Sequence, residues 1–264
     1  MLLSSLLLAF CAVLFVGAAL GLVRAVADRF SVPELEDSGA LETLGGVVSG
    51  PPYTVAVDPG HGGIDRGAEA YAVEYEVTEK TTDALMALLE NDPNYTPVRT
   101  RNNGEGMSIA DRAAAADQSG ADLFLSIHCN SDETYTASGF ECYPQTPSST
   151  YNTDALRFAG LLASEMSAAG QTLRGENGVR YIYYADDGAG GYSKVIRESS
   201  DAGVYAEQTF GVLEKVHCPG VLAEQCFLTS ESDVQDWASD EGCVRAAQVY
   251  YRAICAYFGT QPAA

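Results

Sequence analysis

Three side chains that can bind a metal or move a proton stand where short apolar runs end. His61 follows Val55-Ala56-Val57-Asp58-Pro59-Gly60, His128 follows Leu123-Phe124-Leu125-Ser126-Ile127, and Glu224 follows Val221-Leu222-Ala223. The chain has three histidines, and two of them occupy these places. Such runs read as strands covered on both faces. Open α/β sheets bind ligands beyond the carboxyl ends of their strands, so residues far apart in the chain are expected to converge on one cleft. Neutral imidazole is a common zinc ligand, and a carboxylate often completes a catalytic set of three. Pro59 and Gly60 suit a sharp turn that aims His61 out of the strand end.

The third ligand is open on pattern alone. Glu69, Glu74 and Glu76 all lie between the first strand and the first helix, and each would serve equally as an acidic residue at a helix N-terminus. Glu224 ends a strongly apolar strand, where desolvation raises a carboxyl's pKa and suits it to proton transfer. The competing expectation is a carboxylate satisfied by local backbone donors. His217, just before Cys218-Pro219, reads as a surface or turn histidine. The glycine-rich turn after Asp58 lacks the Gly-Lys-Ser/Thr ending of a phosphate loop, and no Gly-x-Ser-x-Gly elbow is present. His128 and Cys129 are neighbours on a predicted strand and face opposite ways, so they do not form a thiol dyad.

The elements that must position these residues alternate in type. Strands are expected from Tyr53, at 95–100, 122–128, 139–143 and 179–184, and at 219–224. Helical periodicity runs through 78–90, 108–118 (capped by Ser108), 150–169 and 233–258. Residues 186–191 read as a loop, and the stretch from there to about Phe210 has no clear pattern. This order implies a single α/β domain with a mostly parallel sheet of about six strands and helices on both faces.

The formal net charge of −21 argues against a nucleic-acid binder, which needs a basic face. It also argues against loose electrostatic attachment to anionic lipid. Residues 2–23 carry no charge and are long enough to span a bilayer. They read as an uncleaved membrane anchor or a cleaved signal with Ala25-Val26-Ala27 as the small-residue site; either way the domain is exported. The expected organisation is a signal or anchor over 1–29, a linker over 30–52, a catalytic domain over 53–259 and a tail over 260–264. Of the seven cysteines, six lie in the domain and none forms a Cys-x-x-Cys pair, which disfavours a thiolate zinc knuckle. Cys129 and Cys142 are the best-placed pair for a disulfide, against the simpler expectation of small buried apolar side chains.

The strings Val57-Asp58-Pro59-Gly60-His61-Gly62-Gly63, Ser126-Ile127-His128-Cys129-Asn130 and Pro219-Gly220-Val221-Leu222-Ala223-Glu224 resemble those of the zinc-dependent N-acetylmuramoyl-L-alanine amidases. These are cell-wall hydrolases of bacterial division, autolysis and sporulation. Gly139-Phe140-Glu141 and Thr100-Arg101 also match, and the resemblance covers about residues 53–258. It implies zinc held by His61, Glu74 and His128, with Glu224 as the catalytic base. It implies hydrolysis, by a zinc-bound water, of the amide between the lactyl group of N-acetylmuramic acid and L-alanine. The expected partner is peptidoglycan, the expected state a monomer, and any activating protein is unidentified. The chain departs from the pattern at Tyr75, where a lysine often follows the ligand glutamate, which keeps Glu76 open. It departs again at Gln225-Cys226-Phe227, where the family has a glycine, and across 184–210. Two other readings are a zinc carboxypeptidase or peptidase on the same wall peptides and a non-catalytic wall-binding or regulatory module.

Overall fold

The computed structural model describes residues 50–263. The expected anchor or signal, almost all of the linker, and Cys11 lie outside the described residues. Among the described residues, no helix is long and apolar enough to cross a membrane.

Five strands form the central sheet: β1 (Tyr53–Pro59), β2 (Tyr95–Arg99), β3 (Leu123–Asn130), β4 (Glu141–Pro144) and β7 (Gly220–Phe227), in the order β2-β1-β3-β7-β4. All neighbours are parallel except β4, which runs antiparallel to β7. The helices are α1 (Glu74–Glu90), α2 (Ile109–Gln118), α3 (Asn152–Ala168), α4 (Gly211–Lys215) and α5 (Asp240–Phe258), with a short π-turn over Val234–Ala238 before α5. Ser108 caps α2 as expected: its hydroxyl accepts from the Asp111 amide.

Side-chain alternation along the strands sends their residues to two cores. Val55, Val57, Leu125, Ile127, Val221 and Ala223 pack against α1, α3 and α5 through Leu85, Phe158 and Ile254. Ala56, Phe124, Leu222 and Tyr143 pack against α2 and α4 through Ala113, Ala116 and Leu213. Burial on both faces is why β1, β3 and β7 read as mostly apolar runs without alternation.

The strand expected at 179–184 forms, as β5 (Arg180–Asp186), but it is not a sixth strand of the main sheet. The residue before it, Val179, forms an isolated parallel bridge with Cys142 of β4. The strand then diverges and pairs antiparallel with β6 (Tyr192–Glu198) as a separate two-stranded ribbon. The unassigned stretch after residue 186 therefore contains the strand that β5 pairs with: seven residue pairs, from Arg180–Glu198 to Asp186–Tyr192, join the two across a turn in which Gly188 and Gly190 have positive φ.

Candidate metal centre and cleft

β1 and β3 end side by side, with Asp58 in register with Ser126 and Pro59 with Ile127. The turn that follows β1 is held by two buried arginines. Arg112 donates to Asp58 Oδ1 at 2.9 Å, to the Pro59 carbonyl at 2.6 Å, and to the His61 carbonyl. Arg101 donates to the carbonyls of Pro59 and Gly60, both at 3.0 Å. Asp58 also accepts from Thr100 Oγ1 at 2.5 Å and Ser126 Oγ at 2.7 Å. His61 is left-handed, with φ 59°, a conformation costing a non-glycine residue about 1–2 kcal/mol. One charge-assisted hydrogen bond is worth about 1.5–3 kcal/mol, so the arginine network outweighs that strain and fixes the direction of the imidazole. Sequence reasoning missed Arg112; the available signal was Asp58, a carboxylate inside an otherwise apolar strand that had to find a cation.

Arg112→Met is therefore expected to cost about 3–5 kcal/mol, because it leaves Asp58 buried without its charge partner. A urea midpoint close to that of the unmodified protein would contradict this. The double variant Arg112→Met with Asp58→Asn should recover part of the loss.

Glu74, at the first residue of α1, is 4% exposed and lies between the two histidines. His128 Nδ1 is 2.9 Å from its Oε1, and His61 Nε2 is 3.1 Å from its Oε2. The amides of Cys129 and Ala68 donate to the same two oxygens at 3.0 and 2.8 Å. The other two candidates point elsewhere: Glu69 is exposed and pairs with Arg66, and Glu76 is exposed on the first turn of α1. One ligand atom from each of His61, Glu74 and His128 can be chosen so that all three lie within 4.8 Å of one another.

This group could hold a metal ion. Asp65 Oδ2 lies 2.9 Å from His61 Nδ1; by accepting a hydrogen bond from Nδ1–H it leaves Nε2 as the ligand atom, the usual outer support of a metal-binding histidine. Burial disfavours charge on His61, yet the Glu74 and Asp65 carboxylates overcome it and raise its pKa to about 8. Burial likewise opposes ionisation of Glu74, but the two imidazoles hold its carboxyl well below the usual range. A carboxylate that gathers positive charge around it in this way suits a dication that displaces the protons. The cradle admits no extra side-chain carbon: a Cβ at Gly60 would overlap the His128 ring, and one at Gly67 would fall 2.5 Å from Glu74 Oε2.

Glu224 is in register with His128 on β3 and with Glu141 on β4. It is 9% exposed, and its Oε2 is buried with no hydrogen-bond partner. Burial, then the nearby Glu74 and Glu141 carboxylates, push its pKa well above the ordinary value, with Lys194 pulling the other way. The alternative of a carboxylate satisfied by backbone donors is thus not what Oε2 displays. Glu141 is satisfied: Asn130 Nδ2 donates to it at 2.6 Å and Arg180 at 2.8 Å. The β3–β7 register shifts directly after this row, between His128 and Asn130. A bulge of this kind at a strand end re-aims neighbouring side chains, and it falls on Gln225-Cys226, the departure noted in the sequence.

His61, Glu74, His128 and Glu224 line one cleft of about 460 Å³, together with Asp58, Asp65, Arg112 and, from the far side, Lys194 and Phe210. Cys129 also lines it, but its hydrogen bond with Cys226 and its burial push the thiol well above its ordinary pKa, so it is no nucleophile. All six described cysteines are free thiols; Cys142 approaches the Ala159 carbonyl, not Cys129. His217 is exposed and pairs with Asp117, as a surface histidine should.

Residues 55–256 match a family model described as N-acetylmuramoyl-L-alanine amidase. The chain is 30% identical to the uncharacterised protein YqiI of Bacillus subtilis over 78% of its own length and 84% of that protein. It is 28% identical to N-acetylmuramoyl-L-alanine amidase LytC of Bacillus subtilis over 78% of this chain, but spans only 35% of LytC. Its fold is similar to the crystal structure of an N-acetylmuramoyl-L-alanine amidase from Clostridium difficile, with TM-score 0.62, 25% identity and coverage of 79% of this chain and 98% of the other.

Proposed function

Because the chain belongs to the N-acetylmuramoyl-L-alanine amidase family, we propose that it hydrolyses peptidoglycan at the amide joining the lactyl group of N-acetylmuramic acid to L-alanine, and that it does so with zinc. The observation carrying this reading is the unpartnered buried carboxylate of Glu224 one strand away from a two-imidazole, one-carboxylate set. Those donors suit zinc, which takes three protein ligands in catalytic sites and leaves a position open. His61, Glu74 and His128 would hold it, and when bound it would polarise the scissile carbonyl and acidify water.

The chain's own groups supply the rest. Glu224, ionised, takes a proton from the attacking water as the carbon–oxygen bond forms. It returns that proton to the alanine nitrogen as the carbon–nitrogen bond breaks. Its burial beside the Glu74 and Glu141 carboxylates keeps its proton affinity high enough for both transfers. Asp65 holds the His61 ring, and Arg101 and Arg112 hold the turn beneath it. The uncharged stretch over 2–23 supports export to the wall, with the chain either anchored or released after cleavage.

Digestion of purified wall tests the reading. New lactyl carboxyl ends and new L-alanine amino ends should appear in equal amounts, with no shortened stem peptide; shortened peptides alone would mean a peptidase. The purified protein should carry about one zinc per chain. It should lose this activity to a chelator and regain it with zinc. An active, metal-free protein indifferent to chelation would overturn the mechanism.

A further inference from the structure

The cleft floor is acidic, lined by Asp58, Asp65, Glu74 and Glu224, and two basic side chains reach it, Arg112 and Lys194. Arg112 is committed to Asp58 and to the carbonyls of Pro59, His61 and Met107. Lys194, in the middle of β6, is exposed and has no ion-pair or hydrogen-bond partner among the described residues. The ribbon's register shows which way it faces. Lys194 stands opposite Tyr184, and Ile196 opposite Ile182; directly opposed residues of an antiparallel pair share a face. Ile182 is buried in the second core, and Tyr184 packs against that core. The row Tyr192, Lys194, Ile196 therefore lies on the ribbon's inward face, yet Tyr192 is 69% and Ile196 42% exposed. An uncommitted ammonium between two uncovered apolar side chains, beside a cleft, suits a carboxylate carried on a short aliphatic chain.

The stem peptide offers that group just past the bond to be cut. Where its second residue is D-glutamate linked through the γ-carboxyl, the α-carboxyl is free; in some walls it is a carboxamide instead. We propose that Lys194 is a specificity-determining residue of this amidase, receiving a free carboxylate of the stem peptide and disfavouring peptides in which that group is amidated. The proposal rests on the amidase reading above. It also gives a role to the ribbon, whose sequence departs from the family pattern: the ribbon carries a cation to a cleft that otherwise repels an anionic substrate.

Four muramoyl tripeptides test it on the full zinc-loaded chain, with the second-residue and third-residue carboxyls each free or amidated. The expected kcat/KM is on the order of 10-fold higher for the free second-residue carboxylate, the scale of one partly solvated charge-assisted contact, and the difference should lie mainly in KM. Lys194→Met should bring the ratio to about one, Lys194→Arg should keep most of it, and Lys194→Glu should invert it. Retention of the ratio by arginine shows that loss in the methionine variant is loss of charge and not of fold. A preference that follows the third-residue carboxyl and vanishes in Lys194→Met supports Lys194 as the receiver and assigns the other carboxylate as its ligand. Equal cleavage of all four peptides by the unmodified chain overturns the proposal and leaves the amidase reading standing. A preference unchanged in Lys194→Met also overturns it. Failure to cut the lactyl–alanine amide in any of the four sinks the amidase reading, and the proposal with it.

Discussion

Glu224→Gln is expected to lower kcat by about 100-fold or more while the protein keeps its fold and the zinc proposed for it. A positioned general base is worth roughly that much. The substitution is isosteric and does not touch the His61, Glu74 and His128 set. It should not destabilise the protein, because Glu224 Oε2 has no partner to lose and an amide is cheaper to bury than a carboxylate. The pH dependence carries the same signature. Glu224 works as a base only when ionised, and burial among other carboxylates raises its pKa, so activity should fall as pH drops through that raised value. The acid limb of kcat/KM should thus lie above the ordinary glutamate value of about 4.3. The residual activity of Glu224→Gln should lack that limb. Near-normal turnover in this variant would require a different base.

Removing the proposed third ligand is the second large effect. Glu74→Ala should lower zinc affinity by more than the roughly 10–100-fold that loss of an outer-shell partner costs, since both imidazoles and two backbone amides converge on this one carboxylate. Glu76→Ala should leave zinc binding intact. It removes only an exposed acidic residue from the first turn of α1, worth a few tenths of a kcal/mol to about 1 kcal/mol through the helix dipole. Zinc titration of the two variants decides between them. Weak binding in Glu76→Ala with normal binding in Glu74→Ala would move the ligand by two residues.

The choice between these two glutamates illustrates what local pattern can and cannot carry. α1 begins at Glu74, four residues before the apolar periodicity made a helix legible at Thr78. Two residues apart in a helix, side chains diverge by about 200°, so only one could face the histidines. Which one depended on where the helix started, and no capping side chain marks that start. The Ala68 carbonyl marks it instead, accepting the Glu74 amide from outside the helix.

His61, His128 and Glu224 were legible because each follows a locally written apolar run towards the carboxyl end of a parallel strand. β3 and β7 nevertheless run on to Asn130 and Phe227, so that His128 and Glu224 lie inside the strands and not at their ends as expected. Sequence alone thus determined the alternating elements, the mostly parallel sheet and three of the four candidate site residues. The tertiary structure decided matters that depend on partners distant in the chain. Arg112 is 54 residues from the Asp58 it neutralises. The 179–184 strand left the sheet because β6, with weak apolar patterning of its own, offered it a full ladder. Lys194 is one more lysine in sequence and becomes a cleft-lining cation only once that ribbon folds beside the cleft. Backbone pairing and burial of charge are satisfied by whichever group arrives in space, and a periodicity of two or 3.6 residues holds no record of that arrival.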